Sequence, residues 1–367
     1  PILTEHRVTG TVVDEDGAVV GVRVSAGGGE KHIAAKQAVI FASGGFTHNE
    51  ELRKNFLPAP IVSGCAAPTN EGDFVDIATA LGAPLRNMNN AWLCPIPFEP
   101  AIEKSPYLSG IFAVPGDSMF WVDKHGKRVV NEKGIYNELA MSFLQYDPQE
   151  LGYPRMLMFM IWDERTMDKW RAAESGPPTT PSRLALDNYG NIVYEGSHLI
   201  EGATLDELAD SIEARLEKLA SRTGGFKLGD SFRANLPGTL ARFNELAATG
   251  KDDDFHRGVN PIELIFNGDA REGNDTGNPT MYPVSETGPY YAALICAGTL
   301  DTKGGPVTNA RGQVLDADGE PIPRLYAAGN CVANASAQAY WAGGGTIGPY
   351  FTFAYLASEA AVQEPRR

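Results

Sequence analysis

The sequence predicts an α/β protein in which one discontinuous domain, made from the first and last segments of the chain, encloses an inserted α+β domain. Three observations predict this. Two short apolar runs, Ala38-Val39-Ile40-Phe41-Ala42 and Leu325-Tyr326-Ala327-Ala328, each end in a glycine turn, as buried parallel strands do. Each is accompanied by the same hairpin turn signal, Asp14-Glu15-Asp16-Gly17 in one case and Asp316-Ala317-Asp318-Gly319 in the other. Between them the texture changes at about residue 96 and returns by about 283, which divides the chain into 1–95, 96–280 and 281–367.

The elements follow in order. Thr11-Val12-Val13 and Val19-Val20-Gly21-Val22 flank the first turn and predict a hairpin over 7–24. The run at 38–42 predicts a strand leading into Ser43-Gly44-Gly45. Glu71-Gly72-Asp73 precedes a helical pattern from Phe74 to Leu81 that Gly82 stops. Pro95, Pro97 and Pro100 then break the periodicity. Helices are predicted over 204–221 and 236–249, the second ended by Gly250, among loops such as Gly176-Pro177-Pro178. A strand at 325–328 runs into Gly329-Asn330, and a helix from Gly348 to Val362 closes the chain.

Composition narrows the function. The 367 residues carry a net charge of −15, and an acidic surface repels phosphate backbones, so nucleic acid is not the expected partner. No apolar stretch reaches the roughly 20 residues of a membrane span. Cys65, Cys94, Cys296 and Cys331 form no C-x-x-C pair; scattered thiols suit a reducing compartment, hence the cytoplasm, and read as small buried apolar residues. The six histidines show no metal-ligand spacing, and Asp252-Asp253-Asp254 reads as a solvated acidic loop.

The strongest local signal is Tyr340-Trp341-Ala342-Gly343-Gly344-Gly345-Thr346-Ile347-Gly348-Pro349. Gly343, Gly345 and Gly348 form a G-x-G-x-x-G, but not at the opening of a βαβ unit. Consecutive glycines let main-chain N–H groups approach a ligand. Pro349 suits the first turn of a helix, whose N-terminus favours negative charge. An ordinary glycine-rich loop closing a helix–sheet contact is the competing reading. Further glycine turns stand at Ala42-Ser43-Gly44-Gly45, Asp301-Thr302-Lys303-Gly304-Gly305 and Ala327-Ala328-Gly329-Asn330. Two of them follow short strands, at the crevice where α/β sheets bind ligands.

Taken together, Phe41 to Phe46, Asp254-Phe255-His256-Arg257-Gly258, Gly288-Pro289-Tyr290-Tyr291-Ala292, Gly298 to Gly305, Leu325 to Asn330 and Thr346-Ile347-Gly348-Pro349 resemble the 3-ketosteroid Δ1-dehydrogenases, within the fumarate-reductase and succinate-dehydrogenase flavoprotein superfamily. The resemblance implies a Rossmann-like FAD-binding domain, 1–95 with 281–367, and a catalytic domain, 96–280. It implies FAD as cofactor, contacted by Val8, Ala42, Ser43, Gly44, Gly45, Gly72, Asp73, Gly304, Gly305, Gly329, Asn330, Gly345, Thr346, Ile347 and Gly348. Family members open with a strand, a G-x-G-x-x-G turn and a helix that hold the ADP part of FAD. This sequence begins at what resembles the hairpin beyond, so the FAD-binding domain is expected to be incomplete, with a second polypeptide supplying the rest.

The resemblance also implies catalytic roles. Lys127 to Tyr136 matches the family's RF-x-NE segment, which a tyrosine base follows in the steroid enzymes and an arginine proton donor follows in fumarate reductases; this chain has Tyr136. Tyr340 and Gly344 match the hydroxyl and the main-chain N–H that hold the substrate's ketone oxygen. Where the family has Pro and Gly after that tyrosine, this chain has Trp341 and Ala342. A free tyrosine titrates near 10, so ionising one at neutral pH costs about 4 kcal/mol, which the site must offset. The expected activity is 1,2-dehydrogenation of a 3-ketosteroid or similar hydrophobic cyclic ketone. The alternatives are a flavin-dependent enoate or fumarate-type reductase, and a non-catalytic remnant subunit.

Overall fold

The computed structural model describes residues 1–103, 116–173, 198–267 and 272–367, without the side chains of 169–173 and 265–267. Pro1–Pro58, Ala66–Trp92 and Leu300–Arg367 form one compact unit; Ala59–Cys65 and Leu93–Thr299 form a second. The Gly176-Pro177-Pro178 loop lies outside the described residues.

The first unit opens with the expected hairpin. Strands β1 (Arg7–Val13) and β2 (Val19–Ala26) pair antiparallel, with Thr11 opposite Val22. The Gly17 N–H donates to the Asp14 carbonyl at 3.1 Å and the Asp16 N–H to the Asp14 carboxylate at 3.0 Å, the local bonding that makes Asp a turn former. An unexpected strand β3 (Gly29–Ala34) pairs with β2. All its residues are exposed, so it carries no alternating apolar signal.

Strand β4 (Val39–Phe41) follows. Asn49 caps helix α1 (Glu50–Phe56), its side chain accepting from the Leu52 N–H at 3.0 Å. Helix α2 (Asp73–Thr79) buries Phe74, Val75, Ile77 and Ala78, and Phe74 stacks on Phe41 at 4.1 Å. It ends two residues before the expected Leu81, at a turn closed by the Gly82 N–H on the Thr79 carbonyl.

In the second unit, strands β5 (Met119–Val122), β6 (Met158–Asp163), β7 (Ile200–Gly202) and β8 (Tyr290–Thr302) pair antiparallel in the order β7-β8-β6-β5. Every residue of β5 and β6 is buried, so these strands lack a polar face. Helix α3 (Tyr136–Met141) lies between β5 and β6 in sequence. Thr204 caps helix α4 (Leu205–Lys218), which ends before the expected residue 221 and is followed by a short helix, Ala220–Thr223. Helix α5 (Phe232–Thr249) starts four residues before the expected 236. Pro237 lies inside it, in the second turn. Gly250 ends α5 in the left-handed conformation, φ 69°.

The return to the first unit supplies β9 (Gln313–Leu315), β10 (Pro321–Ala327) and helix α6 (Ile347–Val362). The expected turn closes β9 onto β10, with the Gly319 N–H on the Asp316 carbonyl at 3.1 Å. Strands β10 and β4 are parallel, Leu325 opposite Val39 and Ala327 opposite Phe41. In the order β9-β10-β4, β4 is the edge strand; only Phe41 is buried, and Ile40 is exposed. Helix α6 packs Ala357, Ala360 and Ala361 against Tyr326. Its opposite face leaves Ile347, Phe351 and Tyr355 exposed. Cys94, Cys296 and Cys331 are buried and Cys65 half-buried, all as thiols. No helix among the described residues is long and apolar enough to cross a membrane.

Candidate functional site

The first unit brings two of the glycine turns together. Because β4 and β10 are parallel neighbours, Ser43-Gly44-Gly45 and Gly329-Asn330 emerge side by side at the carboxyl ends of the strands. The Ala328 N–H donates to the Phe41 carbonyl at 3.0 Å, holding the pair one residue past the strands.

The glycines fall into two groups. A Cβ on Gly44 would meet Asn70 at 2.4 Å, and one on Gly45 would meet Thr302 at 2.2 Å. On Gly304 it would meet Met88, and on Gly305 Cys331, both at 2.4 Å. Close packing within the protein accounts for all four. Gly329 and Gly344 differ: both have positive φ, 96° and 84°, and a Cβ on either would meet none of the described residues within 4 Å. Gly343 and Gly348 also face open space. These open positions are the part of the predicted cradle that protein packing does not explain.

A buried carboxylate that the sequence reading missed ties the turns together. Asp301 is 2% exposed. It accepts from the Gly45 N–H at 2.9 Å, Asn70 at 2.7 Å, Asn330 at 2.9 Å, the Thr47 hydroxyl at 3.0 Å and the Thr302 N–H at 2.8 Å. Burial pushes its carboxyl above the ordinary carboxylate range, against the pull of these donors. Its one sequence signal is its place ahead of Gly304-Gly305. The Asn330 amide oxygen accepts from the Trp92 indole at 3.0 Å, so both ends of that amide are fixed. The same indole N–H reaches the Tyr350 hydroxyl at 3.1 Å. Burial raises the Tyr350 pKa far above that of free tyrosine.

Tyr340 is half-buried in this unit and meets the Trp92 ring edge-on, centroids 6.0 Å apart. The loop behind it is tightly wound: the Gly345 N–H donates to the Ala342 carbonyl at 2.9 Å and the Gly348 N–H to the Gly344 carbonyl at 2.8 Å. Ala342 has φ 109°, a region that favours glycine. Thr346 stands at the N-cap of α6 without a side-chain cap bond, and Ile347 follows, exposed.

Val8 and Asp73 line one cavity of about 280 Å³ with Arg7. Arg7 binds Asp73 at 3.2 Å and Glu71 at 2.7 Å, and the Asp73 bond is the first cause of its raised pKa. Gly72, at φ 80°, donates its N–H to the Gly45 carbonyl at 3.1 Å. Ala42 lies between β4 and Ser43, exposed.

The second unit holds Tyr136, 8% exposed, as the first residue of α3. The segment before it is clamped by buried ion pairs. Arg128 binds Glu132 at 2.7 Å and Asp252 at 2.7 Å, and Arg257 binds Glu132 at 3.2 Å. Burial opposes charge on Glu132, but the two guanidiniums outweigh it and hold its pKa below the ordinary range. Burial lowers Arg257 to about 10. Asn131 donates to Glu263 at 2.8 Å and Lys133 to the Gly116 carbonyl at 2.6 Å. Asn137, next to Tyr136, accepts the Leu93 N–H at 3.1 Å. Of the acidic loop, Asp253 and Asp254 are exposed as expected, but Asp252 is 1% exposed and serves as an ion partner of Arg128, 124 positions away, which no local pattern reveals.

The chain is 33% identical over 353 residues to the 4-oxocyclohexanecarboxylate 2-dehydrogenase of Sinomonas cyclohexanicum, covering 95% of this chain and 54% of that protein. It is 32% identical over 368 residues to a 3-oxosteroid 1-dehydrogenase of Mycolicibacterium smegmatis, covering 98% and 58%. The crystal structure of 3-ketosteroid Δ1-dehydrogenase from Sterolibacterium denitrificans, in complex with 1,4-androstadiene-3,17-dione, matches with a TM-score of 0.76 at 26% identity, over 97% of this chain and 59% of that one. The open conformation of a flavocytochrome c3 fumarate reductase shares the fold, with a TM-score of 0.62 at 23% identity. The chain thus spans little more than half the length of these relatives. Residues 1–347 match the family described as FAD binding domain, and the chain belongs to that family, with FAD as its cofactor.

Proposed function

We propose that this chain is the greater part of a flavin-dependent dehydrogenase that introduces a double bond beside the carbonyl of a cyclic ketone, a 3-ketosteroid or a smaller ring. The observation that carries this reading is the pair of relatives at 32% and 33% identity, a 3-oxosteroid and a 4-oxocyclohexanecarboxylate dehydrogenase, which align over nearly the whole chain. Both names describe oxidation of a ring ketone.

In this reading the first unit holds FAD and the second carries the base. Gly329 and Gly344, facing open space, leave room for the cofactor and the ketone oxygen. FAD, when bound, supplies the hydride acceptor. The Tyr340 hydroxyl and the Gly344 N–H donate to the ketone oxygen and stabilise charge developing there, which acidifies the neighbouring C–H. Tyr136, as its phenolate, accepts that proton and becomes the neutral phenol. Arg128 and Arg257 are committed to Glu132 and Asp252, which speaks against either serving as the arginine proton donor of a fumarate-type reductase.

A strand–turn–helix from outside residues 1–367, on a second polypeptide or the same one, completes the FAD domain. Its support is the edge of β4, unpaired among the described residues, and the exposed Ile347, Phe351 and Tyr355 on α6, which ask for a covering strand and helix. The four thiols suit the cytoplasm.

The test is anaerobic flavin bleaching in the FAD-loaded protein, with the completing strand–turn–helix present, by androst-4-ene-3,17-dione and by 4-oxocyclohexanecarboxylate. Bleaching by either supports the reading and selects the ring class. A bound flavin that no cyclic ketone reduces overturns it.

A further inference from the structure

We infer that Lys303 is a positioning residue for Tyr340, a buried cation that fixes the loop carrying the ketone-binding hydroxyl. The inference rests on the functional reading above for what Tyr340 does, and on the first unit alone for how it is held.

Lys303 is 1% exposed. Its ammonium donates to the carbonyls of Ala339, at 2.8 Å, and Ala337, at 3.3 Å, and lies 4.1 Å from the centroid of the Trp92 ring. A buried ammonium is costly unless its charge is compensated. Here two main-chain dipoles and an aromatic face do so. Its main chain is tied as well: its N–H donates to the Asn90 carbonyl at 2.9 Å, and its carbonyl accepts the Asn334 N–H at 2.9 Å. A rigid strand end thus holds the ammonium, and the ammonium holds the loop.

The loop needs such a hold. Ala337 has φ 47° and Ala342 φ 109°, conformations that residues with a side chain adopt only when their surroundings impose them. Tyr340 lies between them, directly after the Ala339 carbonyl that Lys303 binds. The Trp92 ring carries the ammonium over its face and packs against Tyr340 in a T-shaped pair. One cation therefore acts on Tyr340 through the peptide before it and through the ring beside it. A neutral side chain of similar length keeps the packing on Trp92 but loses both carbonyl bonds.

The experiment uses the FAD-loaded protein and two readouts. In Lys303→Met, amide exchange over residues 337–345 is expected to rise about tenfold while residues 39–46 keep their protection. Turnover of the best ketone is expected to fall about tenfold in kcat, with KM and FAD affinity changed less than about threefold, because a misplaced donor weakens the transition state most. Lys303→Arg, which keeps charge and donors, is expected to recover most of both. If Lys303→Met does not fold, Lys303→Gln, which retains a donor but no charge, is read in its place. Unchanged exchange at 337–345, or an equal loss of FAD affinity and kcat, overturns the inference. A loosened loop in a protein whose wild type oxidises no cyclic ketone overturns the dehydrogenase reading and leaves the tether standing.

Discussion

Asp301 accepts the main-chain N–H of Gly45 at 2.9 Å across 256 positions of sequence. That bond joins the turn after β4 to the end of β8, and through Asn330 the same carboxylate reaches the turn after β10. Asp301→Asn replaces an acceptor with a group that is half donor, so at least one of the five donors loses its partner. The expected loss is about 1–3 kcal/mol, read as a denaturation midpoint. A midpoint equal to wild type would refute the role of Asp301 as the hub.

Two glycine substitutions separate packing from ligand space. Gly45→Ala forces a Cβ to within 2.2 Å of Thr302 and is expected to destabilise the protein by about 1–3 kcal/mol. Gly344→Ala meets no atom of the described residues within 4 Å. Its strained φ costs about 1 kcal/mol, and its larger effect is expected on ketone affinity, measured by titration against the flavin spectrum.

Ala342, at φ 109°, stands where the resembling family carries glycine. Ala342→Gly is expected to stabilise the protein by about 1 kcal/mol by releasing that strain. A lowered melting temperature would show that the loop does not store it.

Glu132→Gln leaves Arg257 buried without its acid partner and is expected to cost about 3–5 kcal/mol. The pH sign follows from the lowered folded-state pKa of Glu132. Its stabilisation is complete above the unfolded glutamate value of about 4.3 and is lost as pH falls through the lower, folded value. Wild type therefore loses stability on acidification in a window beginning below about pH 4.3, and the variant lacks that part of the slope. Melting temperature against pH, measured for both proteins, reads the difference.

Tyr136→Phe and Tyr340→Phe test the chemistry. Removing the base is expected to lower kcat by about 10²–10⁴. Removing the ketone donor is expected to lower it by about 10²–10³. Both are expected to leave FAD affinity near wild type. Turnover by Tyr136→Phe at the wild-type rate would exclude Tyr136 as the base.

Sequence alone determined what is local or periodic. Both Asp-x-Asp-Gly hairpin turns, the short strands running into glycine turns and the closing helix are written in neighbouring residues, whose turn bonds and side-chain periods need no distant partner. Tertiary structure decided the rest. The exposed strand β3 exists because β2 offers it an edge. Asp252 is buried because Arg128 needs a second acid, and Asp301 became a hub because strand pairing delivers Gly45 and Asn330 to it. Which glycines serve packing and which face open space was likewise invisible in their spacing. The physical reason is common to all of these. A buried charge or a missing side chain is explained by what surrounds it in space, and that neighbourhood exists only once distant segments have paired.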